Sequence, residues 1–103
     1  MNTEILKGQA TDDEIKAWKE KHGKVHFIKV LNSICYLKKP SRKALSYASV
    51  AGEKDPLKFN EIMLNDCWLG GDEDIKKDDT MFLSVSKNVS KLIEVLETEL
   101  GEL

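Results

Sequence analysis

The chain has 103 residues, 41% hydrophobic and 33% charged, with 18 acidic against 16 basic side chains and a net charge of −2. That balance describes one globular domain with a modest core and excludes a disordered chain. A pI near 5.7 gives no electrostatic reason to expect nucleic acid or an anionic membrane as partner.

Residues 1–10 read as an N-terminal arm, either without order or added as a short edge strand, and residues 11–103 as a single domain. Thr11-Asp12-Asp13-Glu14 is a capping box, since Thr11 caps and Glu14 reaches back three residues later. The helix it opens carries Ile15 and Trp18 on one face and ends at Gly23 after a lysine-rich turn. Residues 25–31 and 34–38 then read as a hairpin with Asn32-Ser33 as its loop. Val30 would face Cys35 and Ile28 would face Leu37, which places all four on one side. Phe27, Lys29, Leu31, Ile34 and Tyr36 fall on the other side. A lone two-stranded ribbon is marginal in water, so these five residues form a candidate hairpin edge for subunit pairing.

Pro40 stops the second strand, and Ser41 is the expected cap of a helix over 42–51 with Ala44, Leu45, Ala48 and Ala51 on its buried face. Asp55 caps the next helix, and Pro56 takes its first position, where a missing N–H costs nothing. That helix is expected to reach Leu69, with Gly70 or Gly71 as a left-handed C′ residue. Asp78 or Asp79 then caps the last helix, over about 80–100. There Phe82, Val85, Val89, Leu92 and Leu96 follow at intervals of 3, 4, 3 and 4, a heptad-like seam. At ~1.5 Å per residue, roughly 20 residues make a rod ~30 Å long. The predicted architecture is α+β: a short helix, a β-hairpin, then three helices, the last one long.

Little in this pattern carries chemistry. Cys35 and Cys67, 32 positions apart with no CxxC spacing, read as reduced core thiols. His22 and His26 straddle Gly23 and share no helical face, so no metal-ligand spacing arises. The acidic residues Asp72, Glu73, Asp74, Asp78 and Asp79 lack the D-x-D-x-D-G order of a calcium loop and read as a solvated turn with a helix cap. No catalytic residue, metal or cofactor is expected. The apolar runs are too short to span a bilayer and no signal-type region opens the chain, so a cytoplasmic protein is expected. The surplus of apolar surface points to protein–protein contact. The five seam residues Phe82, Val85, Val89, Leu92 and Leu96 are the candidate partner-binding or self-association face, unless they pack as core.

Several blocks resemble the small single-domain tail assembly chaperones of long-tailed phages and prophages. They are Trp18-Lys19-Glu20-Lys21-His22-Gly23-Lys24-Val25, Tyr36-Leu37-Lys38-Lys39-Pro40, Asp55-Pro56-Leu57-Lys58 and Leu64-Asn65-Asp66-Cys67-Trp68-Leu69-Gly70-Gly71-Asp72, followed by residues 75–79. The most specific is the Cys-Trp-Leu-Gly-Gly-Asp segment. The resemblance implies a non-enzymatic protein that self-associates, binds the helical tape-measure protein during tail assembly in the bacterial cytoplasm, and is absent from the finished virion. The competing readings are a structural tail component, such as a connector or completion protein, and a small homo-oligomeric adaptor unrelated to phage.

Overall fold

The computed structural model describes residues 5–93 and 97–103. In chain order it contains α1 (Asp12–His22), β1 (His26–Val30), β2 (Ser33–Leu37), α2 (Arg42–Gly52), α3 (Pro56–Cys67), β3 (Trp68–Gly71), α4 (Asp74–Lys77) and α5 (Asp79–Val89), then a 3-10 turn at Ser90–Leu92. The fold is α+β, with helices around a three-stranded antiparallel sheet of order β1-β2-β3.

Local chemistry sets the helix starts. The Thr11 hydroxyl accepts from the Glu14 amide while the Glu14 carboxylate accepts from the Thr11 amide, completing the capping box. Ser41 accepts from Ala44 N–H and Asp55 from Leu57 N–H. Asp78, not Asp79, caps α5, accepting from Met81 N–H at 2.9 Å.

The hairpin forms in a register different from the one its sequence suggested. Ile28 faces Cys35, Val30 faces Ser33 and His26 faces Leu37, so the loop is Leu31-Asn32. Relative to the expected pairing the strands have slid by two residues. A slide of two preserves which face each side chain occupies, whereas a slide of one would reverse them all. Ile28, Val30, Cys35 and Leu37 therefore still share the side that packs on the main core. The loop is closed by Leu31 at φ +54°, the only non-glycine with positive φ among the described residues.

The larger departure is β3. The helix expected to reach Leu69 stops at Cys67, and Trp68–Gly71 pairs with β2. Gly71 lies opposite Cys35, Gly70 opposite Tyr36 and Trp68 opposite Leu37, which leaves Leu69 as the extra residue of a bulge. The glycine pair is thus not a helix C-cap. A Cβ on Gly71 would lie 2.5 Å from the Cys35 Cα, and one on Gly70 would lie 3.0 Å from the Trp18 ring. The glycines let β3 lie against β2 and let α1 lie on the sheet.

Flanked on both edges, β2 is buried along its whole length. Its core face joins Ala48, Met63, Leu64, Cys67, Ile75, Met81, Val85, Val89 and Leu92. On the opposite face Trp18 stacks on Tyr36 with ring centroids 5.4 Å apart. The Tyr36 hydroxyl accepts from Ala10 N–H. The described part of the arm is fixed there: Lys7 bridges Ser33 in parallel fashion, and Gly8 (φ +86°) sits so close to Gly71 and Asp72 that no side chain fits.

The last helix is shorter than its seam implied. It ends at Val89, the 3-10 turn carries the chain to Leu92, and residues 97–103 have no regular structure. Leu96 lies outside the described residues. Among the described residues no helix is long and apolar enough to cross a membrane.

Candidate functional site

The residues proposed from the seam divide once folded. Val85, Val89 and Leu92 are buried in the core, and Phe82 is half-buried against it. Most of the seam therefore faces inward, because α5 must cover the sheet. Among the described seam residues only Phe82 reaches the surface, with Leu83 beside it.

These two side chains open a groove of about 630 Å³ between α3 and α5. Leu64 and Phe82 line its apolar floor, and Leu57 and Leu83 stand on its walls at 47% and 49% exposure. Lys58 and Glu61 form an ion pair of 3.5 Å along one wall. Lys76 holds its ammonium 4.2 Å from the centroid of the Trp68 ring on the other. The Cys67–Asp72 segment links the walls: it ends α3, passes through β3 and turns into α4 and α5. Asp72 fixes that turn. Its carboxylate accepts from Ser33 Oγ at 2.6 Å and from Asp74 N–H at 3.0 Å, and its own N–H donates to the Ile34 carbonyl. The Ser33 hydroxyl, and then the Asp74 amide, hold its carboxyl below the usual range by favouring the charged form.

The candidate hairpin edge also divides. Ile34 and Tyr36 are buried on the central strand, since β3 occupies the edge of β2 that the sequence left open. Phe27 and Lys29 remain exposed on β1, one of the two outer strands of the sheet, and Leu31 is exposed in the loop that follows it. Near them His26, Phe27, Ile28, Lys29, Asn88, Lys91 and Leu92 enclose a smaller depression of about 310 Å³ between β1 and the end of α5.

Cys35 and Cys67 are free, buried thiols, and burial raises each to about 11. Thiols so protonated at neutral pH are poor nucleophiles. Among the described residues no group of three or more His, Cys, Asp or Glu side chains converges as metal ligands would. Ser33 donates to Asp72 and so is held by an acceptor with no histidine between them, the geometry of a structural clamp.

The sequence reading missed the α3–α5 groove. In the sequence Leu57 reads as part of a broadly apolar helix, set between core and partner or wholly in the core, and Leu83 stands outside the seam, so nothing joins the two until their helices are placed together. Comparison of the chain with protein-family models, curated proteins and solved structures finds no match.

Proposed function

We propose that this protein is a non-enzymatic tail assembly chaperone of the long-tailed phage type, which holds a helical segment of the tape-measure protein in the groove between α3 and α5. The observation that carries the reading is the pair of half-exposed leucines, Leu57 on α3 and Leu83 on α5, which line one groove together with Leu64 and Phe82. Recognition of an amphipathic helix needs such a groove, filled by apolar anchors at i, i+3 or i+4, and i+7. The mixed charges on its rim suit a partner with polar flanks of both signs. The block that best supports the family resemblance, Cys67–Asp72, is also the one that sets the two walls apart. Such a protein acts in the host cytoplasm, before the virion is complete.

Co-expression with the tape-measure protein, followed by pull-down and size exclusion, tests the reading. Each leucine has about half its surface left to bury, worth ~1 kcal/mol on binding. Leu57→Glu with Leu83→Glu should therefore weaken the complex by at least tenfold while the circular dichroism spectrum stays unchanged. A tape-measure complex that forms equally well with the double variant would sink this assignment of the groove.

A further inference from the structure

We propose that segment 97–103 of one copy docks on the lysine-rimmed depression between β1 and the end of α5 of a second copy, so that two chains exchange these segments. Phe27, Ile28 and Leu92 supply the apolar surface of the depression, and His26, Lys29 and Lys91 its only ionisable rim. Phe27 is 61% exposed, and the outer side of β1 has no strand beside it among the described residues. Lys29 leans over the Phe27 ring at 5.5 Å, and neither Lys29 nor Lys91 makes an ion pair among the described residues.

Segment 97–103 is the chemical complement of that surface. It carries Glu97, Glu99 and Glu102, the leucines Leu100 and Leu103, and no cation. Both leucines are fully exposed. Within one chain, then, an acidic segment with uncovered leucines coexists with an uncovered phenylalanine between lysines, and neither covers the other. Reciprocal exchange satisfies both. Each copy gives one segment and receives one, so the contact is isologous and closes at two chains. The α3–α5 groove takes no part in it.

Light scattering on the full chain over a concentration series tests the exchange. The expected particle has twice the 11.7 kDa chain mass and dissociates as salt screens the charges. Lys29→Glu with Lys91→Glu should weaken the dimer about ten- to hundredfold, because two attractions at each of its two docks become repulsions. Adding Glu97→Lys, Glu99→Lys and Glu102→Lys to that variant should restore it. The segment reversal alone, which lies outside every helix and strand, should reproduce the loss without disturbing the fold. A full chain that stays monomeric, a dimer that survives either reversal, or a loss that the combined swap does not repair would overturn the exchange.

Discussion

Replacing Gly71 by alanine isolates the step that makes β3 a strand. The residue has φ +140°, and the added Cβ would lie 2.5 Å from the Cys35 Cα, 2.6 Å from the Ile34 carbonyl oxygen and 2.8 Å from the Cys35 Cβ. Two of these neighbours are backbone atoms of the buried central strand, so no flexible side chain can yield. Relief requires β3 to move away from β2. That weakens the Gly71–Cys35 pairing and the neighbouring bond from Asp72 N–H to the Ile34 carbonyl. Positive φ on a residue with a Cβ costs ~1–2 kcal/mol. Overpacking against an unyielding neighbour adds ~1–3 kcal/mol. The expected loss is ~3–4 kcal/mol, a large share of the ~5–15 kcal/mol typical of a domain.

Urea unfolding followed by tryptophan fluorescence measures it, since Trp18 rests on Gly70 and Trp68 opens β3. With m near ~1.5 kcal/mol/M the midpoint should fall by about 2 M. Gly23→Ala is the internal comparison. It shares positive φ (+82°) but has no atom within 4 Å of its would-be Cβ, so it should lose only the conformational part. Equal losses at Gly71 and Gly23 would refute the crowding account and return the glycine pair to the role of a turn.

Val89→Lys should unfold the protein, visible as loss of the cooperative urea transition, because Val89 is fully buried. A folded variant that merely lost its partner would make the seam a surface. Leu31→Gly should stabilise by ~0.5–1 kcal/mol, because it relieves a leucine held at positive φ at some cost in chain entropy. A lower urea midpoint would contradict this. The depressed Asp72 carboxyl contributes stability that is fully present above its unfolded value of 3.8 and is lost as pH falls through its lower folded value. Asp72→Asn should therefore flatten the acid limb of a stability-versus-pH curve below about pH 4, and an unchanged limb would exclude Asp72 as a contributor.

What was legible in the sequence was what is local. Thr11, Ser41 and Asp55, and Asp78 out of the pair Asp78-Asp79 that the sequence left open, cap the helices they precede because a cap acts over two or three residues. The faces of the hairpin were also legible, since alternation fixes them whatever the even slide in register. The slide itself was not, because nothing about Leu31 announces positive φ. β3 was hidden for a different reason. It has four residues, follows a helix directly, and looks like a helix stop, while its partner Cys35 lies 36 positions away. The length of the last helix was overestimated because the apolar spacing continues past Val89 and residues 90–93 contain no glycine or proline to mark the stop. The groove was invisible because it belongs to no single element.

The position of β2 between an early and a late neighbour also bears on how the chain emerges during synthesis. β1 is made just before β2 and can pair with it at once, closing a two-residue loop. The other edge stays open until Trp68–Gly71 has been made, and so does the dock for Lys7 and Gly8, which needs Ser33, Gly71 and Asp72 together. Lys7 and Gly8 thus find their seat only after Asp72, more than 60 positions later in the chain, has been made. Until then the ribosome carries an apolar strand with one bare side, the kind of edge that recruits a neighbouring nascent chain. A translation product that stops short of Gly71 keeps that bare side permanently, and its fate is aggregation or proteolysis rather than a smaller folded form.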